Sequence, residues 1–226
     1  MQTFRATLPL LFAILAMTSC SNDSYESGDS TYSYLRTDFA DATTDAQARI
    51  VSATTDDNAH LSFSTPFSTS WTNVADTTYR TLLYYTTTDN SSQHSTANPV
   101  SAARVYVLTP KPANETEPTP TDPIHFQSAW LSSNKKYINL SVALMTGIAD
   151  SVETKQSIGL TCDSTTTDGR GHHTYHYKLT HAQGDVPQYY KSTIYVSIPT
   201  NKMTAGDCVR LSLNTYNGLM TREFTI

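Results

Sequence analysis

The stretch KYINLSVALMTG (136–147) alternates strictly along an extended chain. Ile138, Leu140, Val142 and Leu144 fall on one side; Tyr137, Asn139, Ser141 and Ala143 fall on the other. A period of two places successive side chains on opposite faces of a sheet, so this segment reads as a strand with one buried face. The pattern returns in STIYVSIP, where Ile194, Val196 and Ile198 point together, and in CVRLSLNTYNG, where Val209, Leu211 and Leu213 do. Beyond the N-terminal residues no stretch sustains a 3.6-residue apolar period. The 37 Thr, 25 Ser and 14 Tyr suit pleated, half-buried surfaces better than helices. The expectation is an all-β protein.

The strands fall into two groups. YSYLRTDFA, QARIVSAT, TDDNAHLSFS (with a turn at Asp56–Asn58), YRTLLYYTTT and SAARVYVLTP are five short strands without helical pattern between them. They suit a small, partly open OB-like barrel over 32–109, with Trp71 packed on its end. TPKPANETEPTPTDP follows, with five prolines between Pro110 and Pro123. Proline cannot donate to a ladder, so 110–123 reads as a linker at a domain boundary. IHFQSAWL, KYINLSVALMTG, SIGLTC, HTYHYKLT, STIYVSIP, CVRLSLNTYNG and MTREFTI then supply seven strands over 124–226, the count of an immunoglobulin-like β-sandwich.

The N-terminus has its own logic. The apolar run from Leu8 to Met17 is broken by Pro9 and is about half the ~20 residues that a membrane-spanning helix needs. A basic residue (Arg5), an apolar core and small residues (Thr18, Ser19) form the order of a secretory signal peptide, 1–19. Cys20 directly after them resembles the lipobox of bacterial lipoproteins, with Met17 where Leu is usual, so Cys20 is the expected lipidation site. Several acyl chains on one cysteine make attachment durable, since one chain holds a protein to a bilayer only marginally. Removing 19 of 226 residues leaves 207. SNDSYESGDST, lacking any apolar period, reads with Cys20 as a lipidated tether, 20–31. The expected location is the bacterial cell envelope, lipid-anchored at the outer membrane.

Chemistry is sparse. A net charge of −5 leaves no basic stripe for phosphates, which argues against nucleic acid as a partner and against anionic membrane surfaces. GRGHHTYHYKLTH carries His172, His173, His176 and His181, but on a strand His172 and His176 lie ~13 Å apart and His172 and His173 point oppositely, so no metal is expected. The default for this segment is a solvent-facing strand with packed tyrosines. Cys162 shares parity with Ile158 and Leu160, inward, while Cys208 shares parity with Arg210 and Ser212, outward. A Cys162–Cys208 disulfide, permitted in an oxidising compartment, is therefore disfavoured by geometry. No nucleophile elbow, zinc-protease, P-loop or dinucleotide motif occurs. Asp150, Glu153, Asp163, Asp168 and Asp185 read as solvated turn residues, so neither catalytic residues nor cofactors are expected. Tyr79, Tyr84, Tyr85 and Tyr106 could stack on sugars, although alternating strand tyrosines are more often packing residues. The Asn139 triplet NLS lies mid-strand and is given no role.

YSYLRTDFA, YRTLLYY, VYVLTPKP and DPIHFQSAWLSSNKKYINLSVALMTG, behind a lipobox cysteine, resemble the NigD-like lipoproteins of Gram-negative bacteria over nearly the whole chain. The resemblance implies an OB-like barrel followed by an immunoglobulin-like sandwich and an association with a bacteriocin locus; it carries no catalytic motif. The expected function is that of a non-enzymatic envelope lipoprotein binding an envelope protein or a glycan. A bacteriocin-related accessory or immunity factor and a glycan-active enzyme are the alternatives.

Overall fold

The computed structural model describes residues 35–87, 94–113, 119–148 and 155–226, and among them no helix occurs. Each of the twelve segments read as extended overlaps a strand. The first five are β1 (Leu35–Thr44), β2 (Ile50–Thr55), β3 (His60–Phe67), β4 (Thr78–Thr87) and β5 (His94–Val107). The last seven are β7 (His125–Leu131), β8 (Tyr137–Thr146), β9 (Ser157–Thr167), β10 (His173–Ala182), β11 (Tyr190–Pro199), β12 (Cys208–Thr215) and β13 (Gly218–Thr225). The unforeseen one is β6 (Lys111–Pro112), which pairs in parallel with Thr161–Cys162 of β9. Part of the proline-rich stretch thus does join a sheet, at an edge, where proline's missing N–H costs least.

The first five strands close on themselves. β1 pairs with β2 and β4, β2 with β3, and β4 with β5, all antiparallel; β3 then meets β5 in parallel through His60↔His94 to Phe63↔Ala97. Four of the nine buried residues inside this ring are alanines, Ala40, Ala42, Ala53 and Ala97, packed with Ile50, Leu61, Phe63, Leu83 and Tyr85. So small a ring has no room for larger side chains from every strand.

β5 outruns the ring. Its end, Val105–Val107, pairs in parallel with β11, so one sheet of order β3-β2-β1-β4-β5-β11-β8-β7 runs through both halves. A second sheet, β13-β12-β10-β9-β6, covers β8 and β11, and between them lies the larger core: Ile138, Leu140, Val142, Val196, Leu211 and Leu213, all at most 1% exposed. Residues 34–226 form one compact unit.

The expectation of a one-sided β8 is corrected here. Asn139, Ser141 and Ala143 are as buried as the apolar face opposite. The reason is the outer wall of the ring, where Phe39 and Asp41 of β1 and Arg80 and Leu82 of β4 face β8 and β11. β8 and β11 are thus covered on both sides, by the ring on one and by the second sheet on the other.

Candidate functional site

Two buried polar clusters organise the molecule. The first holds the ring against β8 and β11. Arg80, 2% exposed at its side chain, donates from Nη2 to both Asp56 oxygens at 2.7 Å and to Asn139 Oδ1 at 3.1 Å. It also donates from Nη1 to Asp41 at 3.2 Å and from Nε to Ser197 Oγ at 3.1 Å. Asn139 Nδ2 returns a bond to Asp56 at 2.7 Å, and Ser197 Oγ donates to Asn139 Oδ1 at 2.7 Å. The guanidinium lies 4.0 Å from the Tyr137 ring centroid. Phe39 meets Trp130 and Tyr195 edge-on beside it. Asp41 and Asp56 therefore converge on a cation rather than on open space, and the arrangement fixes how the ring meets the rest.

The second cluster lies at the other end of β8. His181, 2% exposed, accepts at Nε2 from Gln156 Nε2 (3.1 Å), which assigns its proton to Nδ1, the donor to Asp122 O (3.1 Å). Gln156 Nε2 also lies 2.9 Å from Met145 O and 3.0 Å from Gln183 Oε1. Gln183 Nε2 donates to Met145 O and Val186 O, while its backbone N–H meets Asp122 Oδ2 at 2.7 Å. Neighbouring bonds extend this frame, since Asn214 Nδ2 donates to Thr121 O, Ile124 N to Asn214 O and Tyr216 N to Ile124 O. The segments before β7, after β8, before β11 and between β12 and β13 are thereby tied together.

Above that frame stands an apolar, tyrosine-rich surface. Ile148 (84% exposed), Tyr189 (74%), Tyr190, Tyr216 and Leu219 (85%) are five of the eleven exposed large hydrophobics of the described residues, all on these segments. The Tyr189 ring lies against Gly147, where a Cβ would stand 2.8 Å from its Cδ2, so the glycine lets the ring down onto the backbone. Tyr216 stacks on His125 at 4.3 Å and donates its hydroxyl to Gln188. Burial and then the nearby Lys191 hold the His125 pKa below its ordinary value, which favours the neutral ring in this stack. Loop side chains displayed over a hydrogen-bonded frame are held in place by it. Such a cluster exceeds the scatter of single exposed apolar residues that any surface carries.

The residues singled out in the sequence are placed as follows. Cys20, Asp150 and Glu153 lie outside the described residues. Cys162 and Cys208 are both free. They sit opposite Tyr177 and Thr174 on the two flanks of β10, on opposite faces and two strand spacings (~10 Å) apart, beyond the reach of a bridge. The histidines of β10 divide: His181 is buried, which corrects the solvent-facing expectation there, whereas His173 and His176, half-buried, make exposed hydrogen bonds to Thr167 and Thr166. No group of three metal-ligating side chains occurs among the described residues. Asp168 accepts the N–H of Arg170 and of His172, as a turn residue does, and Asp163 pairs with Lys178. The tyrosine series does not form a platform: Tyr85 is in the ring core with its hydroxyl on Asp38, Tyr79 bonds the 73–74 backbone beneath Trp71, and of the four only Tyr106 reaches 40% exposure. Sequence reading missed both Arg80 and Gln183. Arg80 lies within β4 and Gln183 just beyond the end of β10, and a polar residue at either place does not by itself distinguish a buried network from a solvated face.

Neither a family model nor a curated relative matches the sequence. Solved structures do match in fold. A NigD-like immunity protein from Bacteroides caccae aligns with a TM-score of 0.65 at 20% identity, over 84% of this chain and 96% of its own. A protein from Parabacteroides distasonis described as toxin-related aligns at 0.62 and 16%, over 85% and 93%. A protein described as a candidate lipoprotein, from Bacteroides fragilis, aligns at 0.56 and 10%, over 84% and 96%. The all-β fold expected from the NigD-like resemblance is the fold found.

Proposed function

We propose, taking the fold shared with a NigD-like immunity protein as the premise, that this chain is a lipid-anchored envelope protein that acts by binding a protein partner rather than by catalysis. The exposed Ile148–Tyr189–Tyr190–Tyr216–Leu219 surface carries this reading. Fully exposed aliphatic residues beside tyrosines favour a protein partner over a glycan, because sugars reward flat aromatic faces and amides, whereas Ile148 and Leu219 reward apolar burial. The five-stranded ring with its parallel β3–β5 closure supports an OB-like reading of 32–109, and the two-sheet half supports a sandwich related to the immunoglobulin type. The parallel β10–β12 pair sets that sandwich apart from all-antiparallel forms. No helix among the described residues is long and apolar enough to cross a membrane. The lipobox-like Cys20 carries the attachment in this reading.

The test places a photo-crosslinking amino acid at Tyr189 of the full chain in cells, with Thr165 on β9 as control. A discrete protein adduct at 189 and none at 165 supports the reading, whereas adducts with glycan, or none, refute it. Tyr189→Ala should weaken binding of the captured protein about tenfold, as for an aromatic anchor. The names of the immunity and toxin-related neighbours favour the alternative of a bacteriocin-related accessory or immunity factor, whose partner is a toxin. Deleting the gene and challenging with the cognate toxin tests this, and unchanged sensitivity and secretion would dismiss it.

A further inference from the structure

A second surface lies away from the loop end, where β5 leaves the ring. β10 pairs with β9 from Ser157 to Thr167, but at the opposite edge β6 covers only Thr161 and Cys162. The Cys162 carbonyl accepts Ala113 N–H there at 3.2 Å, and the two-residue alternation of a strand turns the N–H and C=O of Ile158 to that same side. Among the described residues neither group has a backbone partner on that side. In front of them is a groove of about 530 Å³ lined by Val107, Leu108, Thr109, Lys111 and the Ser157–Thr161 edge. It shares Val107, Leu108 and Ile158 with a recess of about 310 Å³ that also holds Arg104 and Tyr106. Val107 (46%) and Tyr106 (40%) are exposed apolar positions along it.

The charges of the groove are one-sided. Lys111 and Arg104 are exposed, and neither has an ion-pair partner among the described residues, although the chain carries 20 acidic against 15 basic residues. The Arg104 guanidinium lies over the Tyr106 ring at 5.2 Å, which leaves its donors free toward the recess. Open strand edges are ordinarily blunted by lysine, proline or a covering loop; Ser157–Leu160 carries no charge and no proline.

We propose that this edge takes an extended acidic segment of a partner protein as an added strand. Its backbone bonds Ile158, its apolar side chains lie along Val107 and Tyr106, and its carboxylates meet Lys111 and Arg104. Main-chain pairing supplies affinity and the two cations select charge and register.

The test uses the full chain in detergent and two synthetic probes, acetyl-TVEVEVT-amide and acetyl-TVKVKVT-amide. The acidic probe should bind, weaken about tenfold in high salt, and slow hydrogen exchange at the Ile158 amide. The charge-reversed pair Arg104→Glu with Lys111→Glu, confirmed as folded by its thermal melt, should lose the acidic probe and gain the basic one, while Tyr189→Ala should bind as wild type does. Equal binding of the two probes, failure of the acidic probe to bind, or binding without protection at Ile158 would overturn the proposal. None of these outcomes bears on crosslinking at Tyr189.

Discussion

Arg80→Met should destabilise the whole compact unit far more than a surface substitution. The side chain is 2% exposed and makes five hydrogen bonds, two to Asp56 and one each to Asp41, Asn139 and Ser197. Methionine restores most of the volume but leaves Asp56, 15% exposed at its side chain, as a nearly buried charge with only Asn139 to satisfy it. Removing one partner of a buried ion pair costs about 3–5 kcal/mol, because the charge left behind is uncompensated. For a unit of this size, 1 kcal/mol moves the melting temperature by about 2–4 °C, so the expected fall is about 6–20 °C. Chemical denaturation checks the free energy and calorimetry the temperature. A double-mutant cycle with Asp56→Asn adds the decisive measurement. Once the arginine is gone, neutralising Asp56 relieves the buried charge, so the double variant should be more stable than the sum of the single losses by about 1–3 kcal/mol. A cost below about 1 kcal/mol for Arg80→Met, or strict additivity in the cycle, would refute the view that this cluster joins ring and sandwich.

Gln183→Leu removes the donors to Met145 O and Val186 O and the acceptor for Gln156. It should cost about 1–3 kcal/mol by denaturant titration and loosen the Tyr189 loop in hydrogen exchange. His125 has a folded pKa lowered from 6.5, so it binds fewer protons folded than unfolded. Stability should fall as the pH drops through 6.5 toward the lower folded value, and His125→Phe should remove that slope from a series of urea midpoints. Asp207, held below 3.8 by the N–H groups of Thr204 and His173, adds stability that is present above 3.8 and lost as the pH falls through its folded value; Asp207→Asn should flatten the acid limb of the same series. Thiol counting under denaturing conditions on the chain isolated from cell envelopes should find two free thiols, Cys162 and Cys208. None would restore the disulfide, and three would remove the lipid from Cys20.

The strand segments were legible because each buried face writes its own period. β8 announces Ile138 to Leu144, and β12 announces Val209 to Leu213, whatever else surrounds them. What periodicity cannot express is a strand with two buried faces of different chemistry. On β8 and β11 the face toward the second sheet is aliphatic, while the face toward the ring carries Asn139, Ser141, Tyr195 and Ser197, the residues that a surface would carry. Their burial depends on Arg80 of β4 and Asp56 of the turn after β2, about 60 and 80 positions away from Asn139 in sequence, a pairing invisible to any local window. The proline-rich segment misled for a related reason. Five prolines indicate extended chain, but whether that chain links or pairs is decided by β9, whose free edge at Thr161 and Cys162 accepts Lys111 and Pro112. The loop-end surface was hidden in the same way. Tyr189 and Tyr216 sit in connections and Tyr190 at the very start of β11, and the Gln156–His181–Gln183 frame with its neighbouring bonds brings these separate segments to one place. A chain with this architecture stores its fold in strand periods and the placement of its exposed apolar loop ends in the few buried polar residues that set where the strands end.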